Sequence, residues 1–340
     1  MRYPEFLKKG DTIGICAPSC GIVRPDRVER LNYAIVALEE MGYKVIETPS
    51  VRTDHRLRSS DAKTRAEEFM SLYENPDVKL ILFATGGEFL CEIYDYLDLN
   101  RIKNLPPKWT QGYSDCTGIS FIFNTLLDIP GMYGQTIKDY AMLPLHESLT
   151  DALKIMSGED ITQHSFDLYE QYWEEESQEN NPRHSYYLNG KVEWKSLKQE
   201  AINISGRLVG GCLDSIKFYV GTKYDDVNNY LEKYKEDGFV WFFDCYEFNT
   251  PDFFRTLWQL KNANYFKYCK AIIFGRPYSI EEIADITYID VLREVLDDLN
   301  VPVIYDADVG HVSPQIPLIN GAIINLKYEN GKATIKQILK

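Results

Sequence analysis

Short apolar runs and stretches of helical period alternate along the first 140 residues. TIGICAPS (12–19) is a continuous apolar run ending in proline and small residues, as expected of a strand buried on both faces. Residues 25–41 then place Val28, Leu31, Ala34, Ile35 and Leu38 at helical spacing. YKVIETPS predicts a second strand, and DAKTRAEEFMSLYEN a second amphipathic helix opened by Ser59, Ser60 and Asp61. VKLILFATGG (78–87) is the most apolar strand of this half. FLCEIYDYLDL reads as helical, KWTQGYSD begins as a strand, and TGISFIFNTLLD is helical again. Strand and helix in alternation imply right-handed βαβ units and a parallel sheet, so residues 1–157 are expected to form an α/β domain.

Periodicity fades from 158 to 200, where five glutamates fall between 170 and 179. This is expected to be a connecting region, mostly solvated. Trp173, Tyr186, Tyr187 and Trp194 make it too aromatic for a disordered tail, and a structured loop lining a cleft is the alternative. Strong patterns resume over 201–340. GRLVGGCLDSIKFYVGT reads as a glycine-rich turn leading into a helix, and GFVWFFDC (238–245) as a buried strand. TPDFFRTLWQLKNANYF reads as a helix capped by Thr250 with Pro251 in its first turn. CKAIIFGRP predicts a strand, TYIDVLREVLDDLN a helix, and VPVIYDADVGH a strand ending at His311. The tail is expected to be a β-hairpin turned by Glu-Asn-Gly. The fold expected is therefore α/β, with a second α/β domain carrying its own sheet and a site where the two domains meet.

Composition narrows the function. A net charge of -14 argues against nucleic acid, which needs a surplus of Lys and Arg. No stretch approaches the ~18 apolar residues that span a bilayer, and the first residues lack a signal-peptide core, so a cytoplasmic protein is expected. Seven dispersed cysteines with no Cys-x-x-Cys pair read as reduced thiols.

Four features carry candidate chemistry. In KWTQGYSDCTGIS (108–120), Ser114 follows an apolar strand and precedes an apolar helix. That is the setting of a nucleophile elbow, although Cys116 replaces the second elbow glycine; a plain helix cap is the alternative. ATGGEFL (84–90) puts two glycines after a strand, where backbone can approach a ligand closely. It matches no phosphate-loop pattern. Of the five histidines (55, 146, 164, 184 and 311), only His311 ends a predicted buried strand. Asp244 ends another, with Glu247 three residues on; the carboxylate orients a histidine or caps the next helix. No histidine pair has metal-ligand spacing, so no metal is expected.

In this order the motifs LKKGDTIGICAPS, ATGGEFL, KWTQGYSDCTGIS, GRLVGGCLDSI, WFFDCYEFN and YDADVGHVSPQIPLINGA resemble the LD-carboxypeptidase family of serine peptidases, which includes the microcin C self-immunity proteins. The resemblance runs nearly end to end. It implies a cytoplasmic hydrolase with a triad of Ser114 as nucleophile, His311 as general base and an acid matched by Asp244. The Gly87 and Asp115 N–H groups would form the oxyanion hole. Members release terminal D-alanine from murein peptides, or, in the microcin branch, cleave an amide joining a peptidyl residue to a modified nucleotide. No metal or organic cofactor is implied, and homodimers are usual. The family's acid is typically Glu; Asp is about 1.5 Å shorter in reach, so Glu247 is the alternative acid and a catalytically impaired peptide-binding protein a third reading. Arg207, beside the glycine-rich turn, is considered as a ligand for the substrate carboxylate without being assigned to the site.

Overall fold

The structure, a computed structural model, describes residues 1–171, 181–198 and 201–339. The first sheet is built from β1 (Thr12–Cys16), β2 (Lys44–Glu47), β3 (Val78–Phe83), β4 (Trp109–Gly112) and β5 (Met132–Tyr133). These pair in parallel in the order 5-4-3-1-2. The intervening helices are α1 (Pro25–Glu40), α2 (Ala62–Glu74), α3 (Leu99–Asn104) and α4 (Thr117–Leu127), followed by α5 (Glu147–Met156). Leu80 and Leu82 of β3 pack with Leu31, Ala34 and Leu38 of α1 on one face. Ile81 and Phe83 pack with Phe69 of α2 on the other, which is why the strand reads as unbroken apolar sequence. Asp61 caps α2 by accepting from the Thr64 N–H, as the sequence suggests. FLCEIYDYLDL differs from its expected α-helix: Leu90–Asp95 is 3-10, and the α-turns start only where Asp98 caps Leu99–Asn104.

The connecting region contributes β6 (Gln163–His164), β7 (Leu168–Tyr169), β8 (Gly190–Lys191) and β9 (Lys195–Ser196). β6 and β9 close the two edges of the second sheet. Trp173 and the acidic run from 174 to 176 lie outside the described residues. Trp194 is a core side chain, its indole N–H bonded to Asp308 at 2.9 Å.

The second sheet centres on β10 (Ile202–Cys212). Here the sequence reading needs correction: GRLVGGC is a strand, and only Leu213–Ile216 (α6) is helical. A Cβ on Gly210 would lie 1.8 Å from the Phe242 carbonyl oxygen, so glycine there admits a neighbouring strand rather than making a turn. After α7 (Val227–Lys233) come β11 (Phe239–Asp244) and β12 (Glu247–Asn249). Then follow α8 (Thr250–Asn262), β13 (Cys269–Gly275), β14 (Ser279–Glu281), α9 (Tyr288–Leu296) and β15 (Val303–Ala307). α8 is capped by Asn249, not Thr250; the Thr250 hydroxyl instead accepts from the Ile283 N–H. β10, β11, β13 and β15 run parallel. The hairpin of β17 (Ile323–Glu329) and β18 (Lys332–Ile338) adds antiparallel strands. It turns at Asn330 and Gly331, both at positive φ, as Glu-Asn-Gly predicts. Just before it, β16 (Leu318–Ile319) crosses back to pair with β5 of the first sheet. The protein is thus α/β with two sheet-bearing domains, and the carboxyl ends of β3, β4, β10 and β11 meet in one cleft, where open α/β sheets bind ligands.

Candidate active site

Ser114 follows β4 directly and opens a 3-10 turn, Ser114–Cys116, that runs into α4. Its φ is 63°, a left-handed conformation that costs an L-residue about 1–2 kcal/mol. Its hydroxyl makes no capping bond and no other hydrogen bond among the described residues, so it is not the helix cap that the local sequence taken alone favours. A side chain held in strain with its oxygen unengaged is the arrangement of a nucleophile elbow.

The Thr85–Gly86–Gly87 loop lies against it. A Cβ on Gly86 would sit 3.0 Å from Ser114 Oγ and 3.6 Å from the Asp115 nitrogen. Gly87 has φ +151° and no room for a side chain, since a Cβ would meet Ser19 Oγ at 2.3 Å. Its N–H makes no hydrogen bond among the described residues. The Asp115 side chain turns inward, accepting from Ser19 Oγ at 2.6 Å and from the Leu90 N–H at 2.9 Å. It therefore staples the serine turn to both neighbouring loops, and burial raises its pKa.

Asp244, at the end of β11, is fully buried. Its Oδ2 lies 2.6 Å from His311 Nδ1, and its Oδ1 accepts from the His311 backbone N–H at 3.2 Å. His311 lies four residues beyond β15, in a loop, not at the strand end expected; Gly310 at φ +99° folds that loop over the carboxylate. The Asp244 carboxylate thus reaches the imidazole directly. Glu247 is exposed, and its own N–H donates to Asp214 Oδ1 at 3.0 Å; it makes no contact with His311. Arg207 stands elsewhere, paired with Asp237 and lying over Tyr234.

Ser114 and His311 are not hydrogen-bonded to each other. They are linked through Tyr113, whose ring packs 5.0 Å from the imidazole, and through Tyr133. Tyr133 donates its hydroxyl hydrogen to Asp244 Oδ2 and accepts from the Ser114 N–H at 3.4 Å. Burial, with the Asp244 charge beside it, pushes the Tyr133 phenol well up, so it remains a neutral donor. Sequence reasoning missed Tyr133, and the only signal was its place at the end of a short apolar run. It also missed Tyr246, 4.5 Å from the imidazole and stacked on exposed Tyr278.

One group of potential metal ligands occurs among the described residues: Cys212, Asp244 and His311, with ligand atoms within 4.8 Å of one another. Burial holds the Cys212 thiol well above its usual range, hence protonated, and Asp244 is already occupied by Tyr133 and His311. This donor set fits a hydrogen-bonded Asp–His pair better than a cation. No helix among the described residues is long and apolar enough to cross a membrane.

Comparison with known proteins bears on this geometry. The sequence model of the LD-carboxypeptidase N-terminal domain matches residues 13–134, and that of the C-terminal domain matches 205–326. The microcin C7 self-immunity protein MccF of Escherichia coli is 26% identical, over 97% of this chain and 94% of that protein. The Bacillus subtilis protein named "Probable murein peptide carboxypeptidase" is 23% identical over 94% and 89%. In fold, a structure of MccF in complex with glutamyl sulfamoyl guanosine superposes with a TM-score of 0.80 at 22% identity, covering 99% of this chain and 98% of that one.

Proposed function

This chain belongs to the LD-carboxypeptidase family, and from that premise we propose that it is a serine-type carboxypeptidase releasing terminal D-alanine from murein tetrapeptides. The observation that carries the reading is the buried Asp244 carboxylate on His311 Nδ1, next to a strained Ser114 with an unengaged hydroxyl.

The chemistry runs in two halves. Asp244 fixes the imidazole with Nδ1 protonated, leaving Nε2 as the base. His311 Nε2 takes the Ser114 proton as Oγ attacks the carbonyl carbon of the L,D bond. The Gly87 and Asp115 N–H groups stabilise the oxyanion, at the start of α4 where the helix dipole adds to them. His311 then gives the proton to the departing D-alanine nitrogen. Water, deprotonated by the same imidazole, attacks the acyl-enzyme, and Ser114 leaves with the proton. Contacts such as that between Ser114 and His311 are often loose before substrate binds.

The test is D-alanine release from a purified muropeptide, expected for the wild type and lost in Ser114→Ala. Absence of release by the wild type at high enzyme concentration would refute the proposal.

A second reading, hydrolysis of a peptidyl-nucleotide amide, is favoured by the end-to-end likeness to MccF and by the stacked Tyr246–Tyr278 pair, which offers a plate for a base. Protection of sensitive cells by overexpression, without D-alanine release in vitro, would select it. An impaired peptide-binding protein rests on the shortness of Asp244 alone, and that carboxylate does reach the imidazole.

A further inference from the structure

Resting on the hydrolase reading above, we propose that the Lys138 ammonium binds the free C-terminal carboxylate of the substrate, and so restricts Ser114 to the last bond of a peptide.

A cavity of about 250 Å³ opens beside the site. Its lining includes Tyr113, which directly precedes Ser114, and Ser313, two residues past His311. Most of its charges are already committed. Arg24 pairs with Asp26 at 3.0 Å. The Arg30 guanidinium is consumed by the carbonyls of Lys138, Pro182 and His184. Glu170 accepts from the Tyr187 N–H at 3.1 Å.

Arg27 also makes no ion pair among the described residues but lies exposed at the rim, which leaves Lys138 as the exception among the half-buried cations. Half-buried, it makes one long hydrogen bond, 3.4 Å to Thr85 Oγ1, and no ion pair among the described residues. The adjacent Asp139 is not within ion-pair distance. Burial, with Arg27 and Arg30 nearby, lowers the Lys138 pKa to about 8, still cationic at neutral pH. Taking an ammonium out of water without a counter-ion is costly, and an arriving anion offsets that cost.

Its location matches the chemistry. Thr85 immediately precedes the Gly86–Gly87 loop that lies on Ser114 Oγ, so the ammonium flanks the reacting bond. Past Gly87 the site turns acidic: burial first, and then the charges of Asp115, Asp214 and Glu247, make Glu88 harder to ionise, so that side disfavours an anion. A substrate bearing a carboxylate therefore has one favourable orientation, with that group toward Lys138. A cation beside the nucleophile suits a substrate that ends in a free carboxylate, since charge-assisted hydrogen bonds are the stronger ones.

The test is calorimetric titration of full-length Ser114→Ala with an L-Ala-D-Glu-L-Lys-D-Ala tetrapeptide and with its C-terminal amide. A charge-assisted contact predicts that the acid binds roughly 10- to 100-fold more tightly. In Ser114→Ala/Lys138→Met the preference should vanish, and Ser114→Ala/Lys138→Arg should retain most of it. Equal binding of acid and amide, a preference that survives Lys138→Met, or no binding of either peptide at millimolar concentration overturns the assignment. D-Alanine release by the wild type is read separately. A Lys138-dependent preference without release sinks the hydrolase reading and leaves the carboxylate site standing. Release with a Lys138-independent preference does the reverse.

Discussion

His311 Nδ1 stands 2.6 Å from Asp244 Oδ2, and the carboxylate that holds it has no exposed surface. The fit is close on every side. Tyr133 donates to the same oxygen, the His311 N–H reaches the other, and a Cβ on Gly310 would fall 1.9 Å from Oδ1. The loop leaves no room beside the carboxylate.

Exchange at this acid tests that fit. Asp244→Asn keeps the shape but favours the wrong imidazole tautomer, and kcat should fall by roughly 10³- to 10⁴-fold. Asp244→Glu restores the family's usual acid yet should not improve the enzyme. The added methylene has no space against Gly310, which predicts an overpacking cost of about 1–3 kcal/mol and reduced turnover. Glu247→Ala should change kcat by less than about twofold, in line with the small effect of surface substitutions. Steady-state kinetics with urea denaturation reads all three. A large loss in Glu247→Ala with an active Asp244→Asn would transfer the role.

The strain at Ser114 predicts a separation of stability from activity. Ser114→Gly removes a left-handed penalty of about 1–2 kcal/mol and adds a chain-entropy cost of about 0.5–1 kcal/mol. The protein should be more stable by up to about 1 kcal/mol while losing all labelling by a fluorophosphonate. A variant less stable than the wild type would mean that the serine side chain contributes packing that outweighs the strain.

Those two residues mark how far sequence carries. The strands are legible because β3 and β11 are buried on both faces and therefore continuously apolar. Ser114 follows the short strand β4 after one residue, Asp244 ends β11 and His311 lies four residues past β15, near enough to a strand end for each to be legible. β10 is not: its glycines read as a turn, and only the approach of β11 explains them. Lys138 and Tyr133 are illegible for another reason. Each matters through a residue distant in the chain, Thr85 for one and Asp244 for the other, and no local pattern encodes such a pairing.

His146 predicts an acid limb of stability. Its Nδ1 caps α5 by accepting from the Ser148 N–H, which requires the neutral ring, and the ring packs against Phe166 and Tyr186. Burial lowers its pKa from 6.5 to about 4. The unfolded chain therefore takes up a proton before the folded one does, so this contribution is present above pH 6.5 and is lost as pH falls toward 4. Denaturant midpoints measured from pH 7 to 4 should fall, and His146→Asn, which keeps a cap without titrating, should flatten that part of the curve. An identical slope in the variant would assign the limb to other groups.

Asp308 holds the loop that carries His311. Fully buried, it pairs with Arg276 and accepts at 2.9 Å from both the Trp194 indole and the Phe166 N–H. One carboxylate thereby fastens two points of the connecting region to the end of β15. Asp308→Ala strands the Arg276 guanidinium in the interior, and losing one member of a buried pair costs about 3–5 kcal/mol. Removing both charges, as Arg276→Met/Asp308→Leu, should recover part of that stability, because the unpaired cation is gone. The loop should nonetheless stay loose, since Trp194 and Phe166 have lost their acceptor, so the double variant should melt closer to the wild type than Asp308→Ala does and still turn over slowly. Full recovery of activity in the double variant would show that the Asp308 hydrogen bonds do not position His311.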